Sequence, residues 1–356
     1  MDSEPVNVAD YERRAAETLE PGPLGYFAGG AGDERTLRDN VEAFARHRLR
    51  PRVLVDVSEV TTGTSVLGTA LSMPVLVAPV ALQRLAHPDG EEAMARAAAR
   101  AGTAMCVSTI ATASPRQVAE AAPGGERWLQ LYCFRDRGVT RAVIDEAVEC
   151  GYSAIALTVD APYAGRRERD LRTGFQVPPE ITVPAVAAAV GSSRPMSVPE
   201  IFGLVDPSLE WGDVEDLVAD CSLPILVKGV MTGEDARLAK EHGAAGVIVS
   251  NHGGRQLDNV QAAIDALPGV VDAAGGELEV LMDGGVRRGT DVLVALALGA
   301  KAVLIGRPAL WGLAAEGEAG AAHVLELLRE EFRLALALCG CASPGDAGRE
   351  HLVSTR

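Results

Sequence analysis

The sequence predicts an α/β protein, a closed (β/α)8 TIM barrel with an N-terminal helical cap and a long loop after the fourth strand. Three observations predict it. Eight short apolar, β-branched runs recur along the chain, each followed by a charged or Ala-rich stretch of helical pattern. The runs are continuous rather than alternating, as parallel strands buried on both faces require. The first run is followed by APVALQRLAHPDGE, without the Gly-rich turn that opens a doubly wound open sheet.

Taken in order, residues 1–72 precede the first run and read as helices and a small hairpin that cap the barrel. The strand runs are MPVLVAP (73–79), TAMCVS (103–108), WLQLY (128–132), AIALTVD (154–160), PILVKG (224–229), GVIVSN (246–251), EVLMDGG (279–285) and AVLIGRP (302–308). Between them, stretches such as PDGEEAMARAAARAG, GVTRAVIDEAVECG and GEDARLAKEHG have helix formers, acidic starts and Gly stops. Residues 161–212 form an oversized connection rich in Pro, Ala, Ser and Gly. That length suits a lid or a disordered loop better than a packed element. One domain is expected over 1–356, with the cap at 1–72 and the barrel at 73–340.

With 47% hydrophobic and 23% charged residues the 356-residue chain falls in the globular range, which excludes a disordered polymer. A net charge of −16 with no offsetting basic stripe argues against nucleic acid and anionic membranes as partners. No apolar run is long enough to span a bilayer. The N-terminal MDSEPVNVADYERR has no apolar signal core, and the C-terminal HLVSTR carries no address tripeptide. These features predict a cytoplasmic protein. The six cysteines (Cys106, Cys133, Cys150, Cys221, Cys339 and Cys341) include no C-x-x-C, and CGC lacks the spacing of a zinc site. Neither disulfides nor a metal is expected.

In such barrels chemistry sits where the strands end. The second run ends in Ser108, the third carries Gln130 and Tyr132, and the fourth carries Thr158 and Asp160. The fifth ends in Lys228, the sixth in Ser250-Asn251-His252, the seventh in Asp283-Gly284-Gly285 and the eighth in Gly306-Arg307. One such residue is an ordinary solvated strand end; the joint pattern is not. Gly284, Gly285 and Arg287, with Gly306 and Arg307, suit a phosphate, because glycines admit backbone N–H groups and Arg forks onto oxygens. Ser108, Gln130 and Thr158 can hydrogen-bond a flat heterocycle, and Lys228 can stabilise its reduced, anionic form, as a flavin needs. The only lysines are Lys228, Lys240 and Lys301. His252 has Asp160 as its carboxylate partner from another strand end, which suits proton abstraction from a substrate hydroxyl or α-carbon. Arg255 can grip a substrate carboxylate.

The same residues resemble the FMN-dependent 2-hydroxy acid oxidase and dehydrogenase family, from about residue 8 to 342. The motifs are SNHGGRQLD (250–258), YFAGGAGDERTLRDN (26–40), AHPDGE (86–91), WLQLY (128–132), ALTVDAP (156–162), LVKG (226–229), DGGVRRGTDVLVALALGA (283–300) and IGRP (305–308). The resemblance implies that Pro79, Val80, Ala81, Ser108, Gln130, Thr158, Lys228 and Ser250 line the flavin of FMN. It implies that Asp283, Gly284, Gly285, Val286 and Arg287, with Gly306 and Arg307, hold the ribityl phosphate. Tyr26 and Arg255 would bind the substrate carboxylate, assisted by Arg167. Tyr132 would bond the hydroxyl, and His252, paired with Asp160, would be the base. The implied enzyme is an (S)-2-hydroxy acid oxidase that makes a 2-keto acid and hydrogen peroxide, as a homo-oligomer, commonly a tetramer. Ile110 stands where glycolate oxidases carry Trp, which implies a substrate larger than glycolate. Two other readings stay open: a dehydrogenase passing electrons to a quinone or protein, and a non-catalytic barrel that binds a phosphorylated ligand.

Overall fold

The computed structural model describes residues 4–192, 194 and 196–353, so the last residues of HLVSTR lie outside the described part. After the helices Val8–Thr18, Pro21–Ala28 and Arg35–Glu42 comes a two-stranded hairpin, β1 (Thr64–Val66) and β2 (Thr69–Leu71), antiparallel and joined by Leu67 and Gly68. Both turn residues have positive φ, 48° and 79°, as a tight two-residue hairpin turn demands. Eight strands follow: β3 (Val75–Val77), β4 (Met105–Ser108), β5 (Arg127–Leu131), β6 (Ala154–Thr158), β7 (Ile225–Val230), β8 (Gly246–Val249), β9 (Glu279–Asp283) and β10 (Ala302–Ile305). They close as a barrel, β10 pairing with β3, and every barrel pair is parallel. Each strand falls within or across one predicted run.

The apolar runs are continuous because successive residues face two different cores. One set fills the barrel interior: Leu76, Cys106, Trp128, Ala154, Ala156, Leu226, Ile248, Leu281 and Leu304, with Val66 and Leu71 of the hairpin. The small alanines leave room for the Trp128 ring. The other set (Val75, Val77, Met105, Val107, Leu129, Ile155 and Leu157 among them) packs outward against the helices.

The N-terminal segment is divided between the two ends of the barrel. The hairpin closes the end where strands begin, and Leu67 N–H donates to the Glu279 carboxylate at the start of β9 (2.9 Å). Helix Arg35–Glu42 lies at the opposite end, against the loop after β8. There Asn40 and Asn251 exchange reciprocal side-chain hydrogen bonds of 2.8 Å, both groups buried.

The long connection after β6 differs from the expectation of a lid or disordered loop. It forms helices Glu168–Thr173, Pro184–Val190 and Val198–Phe202, followed by Trp211–Asp220. It buries Val183, Val186, Ile201 and Val205, so it is a packed element with its own apolar anchors. Among the described residues no helix is long and apolar enough to cross a membrane. The six cysteines are free thiols.

Candidate active site

A cavity partly open to solvent occupies the end of the barrel where the strands finish. Of the predicted residues, Tyr26, Pro79, Val80, Ala81, Ser108, Gln130, Tyr132, Thr158, Arg167, Lys228, His252 and Arg255 line it. So do Asp283, Gly284, Gly285, Val286, Arg287, Gly306 and Arg307. Two predicted residues stand behind the wall instead.

The first is Ser250. It is fully buried, and its hydroxyl accepts from Lys228 Nζ (2.8 Å) and from His252 N–H (3.0 Å) while donating to Asp283 Oδ1 (2.6 Å). It therefore ties Lys228 to the His252 loop and to Asp283. The second is Asp160, whose Oδ1 lies 2.9 Å from His252 Nδ1. A β-bulge at Lys228–Val230 lets this carboxylate approach. Gly229 has φ 111°, and a Cβ there would sit 2.6 Å from Asp160 Cβ, so only glycine fits.

His252 itself has φ 59°, a left-handed backbone that is strained for a residue with a Cβ. The loop holds it there through Ser250 and through Asn251 Oδ1, which accepts from Gly254 N–H (3.1 Å). With Nδ1 donating to Asp160, the network assigns the lone pair to Nε2. Burial works against the Asp160 charge, but the facing His252, with Lys228 behind it, outweighs burial and holds the carboxyl below its ordinary range.

The resemblance groups Asp283 with the phosphate holders. It lines the cavity beside Gly284 and Gly285, and its carboxylate is committed to Lys228 Nζ (2.9 Å) and Ser250. Burial opposes the Lys228 ammonium, but Asp283 and Asp160 outweigh it and raise its pKa, so Lys228 is a fixed cation.

Arg255, Arg287 and Arg307 make no ion pair among the described residues. Burial lowers all three, and the neighbouring Arg255 and Arg287 help bring Arg307 down to about 9. Their donors reach main-chain carbonyls. Arg307 donates to Phe27 O (3.0 Å), Gly253 O (3.0 Å) and Gly29 O (2.9 Å), and Arg255 donates to Tyr26 O (2.6 Å) and Gly29 O (2.9 Å). Arg167 and Arg255 flank the Tyr26 ring, 5.5 and 5.0 Å from its centre. Half-buried cations without an ion-pair partner call for anions.

Two buried polar atoms facing this region, Gln130 Nε2 and Thr158 Oγ1, have no hydrogen-bond partner. Gln130 Oε1 already accepts from Ser108 Oγ (3.1 Å) and Thr109 N–H (3.2 Å), which leaves its amide nitrogen to donate to a ligand. A flat heterocycle with hydrogen-bonding edges and an anionic tail satisfies both these atoms and the arginines.

A model of the family described as FMN-dependent dehydrogenase matches residues 15–354. The chain belongs to the FMN-dependent dehydrogenase family. FMN is accordingly the cofactor whose ring and phosphate this cavity fits. The chain is 51% identical to glycolate oxidase 5 of Oryza sativa subsp. japonica, covering 98% of this chain and 96% of that protein. It is 48% identical to an L-lactate oxidase of a Nostoc species, covering 97% of each. Among solved structures, a variant of mandelate oxidase with (S)-mandelic acid matches with a TM-score of 0.90 at 42% identity, covering 99% of both chains.

Sequence reasoning missed several members of this family's cavity in the present chain. Phe27, Phe202 and Gly253 line it. The buried Glu91 accepts from Gln83 N–H (3.1 Å) and Thr112 N–H (2.9 Å), joining the loops that carry Pro79–Ala81 and Ile110. Its place in AHPDGE, next to a helix start, was the available signal.

Proposed function

We propose that the protein oxidises an (S)-2-hydroxy acid to a 2-keto acid and passes the electrons to oxygen as hydrogen peroxide. The observation that carries this reading is the His252–Asp160 pair facing a cavity that also holds Arg255, Arg167 and Tyr132. FMN, when bound, supplies the two-electron acceptor. Arg255 and Arg167, either side of Tyr26, receive the substrate carboxylate by charge-assisted hydrogen bonds. Burial, followed by the nearby Asp160, raises the Tyr132 phenol, so it stays protonated and donates to the substrate hydroxyl. His252 Nε2 takes a proton, from the hydroxyl if the α-hydrogen leaves with its electrons and from the α-carbon if it leaves without them. The imidazolium so formed is stabilised by Asp160. Lys228 lends fixed positive charge to the heterocycle end, and Gly284, Gly285, Val286, Arg287, Gly306 and Arg307 form the phosphate end.

Ile110, Phe202 and Tyr132 give the substrate side an apolar wall, which favours a side chain larger than that of glycolate. The exposed apolar run Val53, Leu54 and Val55 supports self-association, in line with a tetramer, and light scattering on the purified protein measures it.

The test is an anaerobic visible spectrum of the FMN-loaded protein as glycolate, lactate, longer aliphatic 2-hydroxy acids and mandelates are added. Bleaching by one acid, reversed by oxygen with peroxide release, is expected. Bleaching that quinone reverses and oxygen does not would replace the oxidase with a dehydrogenase, and no bleaching by any acid would overturn the substrate class.

A further inference from the structure

We infer that Gln256 is a positioning residue, a latch whose side-chain amide holds the strap between Asp160 and Arg167 against the catalytic loop. The inference rests on the function proposed above and adds a residue to it.

All the hydrogen-bonding groups of the Gln256 amide point at one short segment. Nε2 donates to the main-chain carbonyls of Asp160 (3.2 Å) and Tyr163 (2.9 Å), and Oε1 accepts from Gly165 N–H (2.9 Å). The segment lies so close that a Cβ on Gly165 would sit 2.2 Å from Arg255 O and 2.7 Å from Gln256 Cα. Just beyond, Arg166 O accepts from Gly32 N–H (3.0 Å), which ties the strap to the N-terminal cap. At one end of the strap stands Asp160, which orients His252, and at the other Arg167, beside the Tyr26 ring. Gln256 is the neighbour of Arg255. One side chain therefore fixes the spacing between the base's partner and the guanidinium pair, although it does not itself line the cavity. Misplacement by about 1 Å of groups that orient a substrate costs up to about a hundredfold in rate.

Gln256→Met keeps length and bulk and removes the three hydrogen bonds. Gln256→Glu keeps an acceptor for Gly165 but faces two carbonyl oxygens with an anion. Both variants, loaded with FMN, are assayed for kcat and KM, and hydrogen exchange is followed across residues 160–167. The expected result is retained FMN, a KM raised and a kcat lowered by about tenfold each for Met, a larger loss for Glu, and faster exchange at Gly165. A spacer role would tolerate Met and Glu alike. If both keep kcat/KM within about twofold of the parent and leave exchange unchanged, the latch is refuted. Should Gln256→Met fail to bind FMN, Gly165→Ala displaces the same strap from the other side and must give the same exchange signature. A parent protein bleached by no 2-hydroxy acid would overturn the proposed function, while the exchange measurement would still decide the latch.

Discussion

Replacing Asp160 by Asn preserves the side-chain shape and removes its charge. In the structure Oδ1 meets His252 Nδ1 at 2.9 Å, while the buried Oδ2 has no hydrogen-bond partner. The imidazolium formed on proton abstraction is thus held by one charge-assisted hydrogen bond, worth about 1.5 to 3 kcal/mol. At about 1.36 kcal/mol per decade, its loss lowers kcat/KM about 13- to 160-fold. The loss should fall on kcat, because Arg255, Arg167 and Tyr132 are untouched and bind the substrate as before. Asp160 stands behind the cavity wall, so FMN should stay bound. The assay is anaerobic stopped-flow bleaching of the flavin against substrate concentration. A variant reduced within about threefold of the parent rate would refute the role given to the pair. A rate loss that tracks loss of FMN would make Asp160 a structural residue instead.

Other outcomes follow from single features. Gly285 has φ 86°, and a Cβ there would fall 1.8 Å from Asn40 O, so Gly285→Ala should push helix Arg35–Glu42 off the phosphate end and yield protein with little FMN, read from the flavin absorbance. Cys106 is pushed up to about 12 by burial and Cys133 and Cys341 to about 11; intact mass after maleimide at neutral pH should show adducts only at the half-buried Cys150 and Cys221. The Asp160 carboxyl is held below its ordinary 3.8 despite burial, chiefly by His252, so its contribution to stability is complete above that value and is lost as pH falls through the lower, folded value. Thermal melting in acid should therefore show a shallower decline for Asp160→Asn than for the parent protein.

The barrel was legible because parallel strands buried on both faces leave uninterrupted runs such as AIALTVD, and few other structures do. The mouth residues were legible because strand ends map directly onto one rim of the fold. The packing of the connection after β6 was not legible. Its helices span only five to seven residues, and they are fixed by tertiary burial of Val183, Val186 and Ile201 rather than by periodicity. Phe202 reaches the cavity from the last of them, where its ring lies 5.8 Å from that of Tyr132. The bonds of Ser250 to Lys228 and Asp283 were not legible, because adjacency to His252 does not reveal which way a hydroxyl turns after the strand has ended. Asn40 closes a motif that was recognised, yet its pairing with Asn251 depends on two segments far apart in the chain.

The distribution of charge gives the N-terminal segment its place in the chemistry. The chain as a whole carries −16, while the cavity at the barrel mouth gathers Arg255, Arg287 and Arg307, without carboxylate partners among the described residues. Bare guanidiniums are costly to bury, and main-chain carbonyls meet part of that cost: those of Tyr26, Phe27 and Gly29 from the cap and of Gly253 from the catalytic loop. Carbonyls satisfy donors but do not neutralise charge, and burial, followed by the neighbouring Arg255 and Arg287, lowers Arg307 to about 9. A phosphate supplies the missing negative charge to side chains that already clasp the cap. With a phosphate held there as proposed, cofactor binding and cap docking would share Arg307 as a common element, and whatever stabilised one would stabilise the other. In the proposed function the substrate carboxylate would stand in the same relation to Arg255, which holds Tyr26 by its backbone and faces its ring. The barrel supplies the rim on which these groups stand, and the cap becomes part of the site because the arginines need its carbonyls.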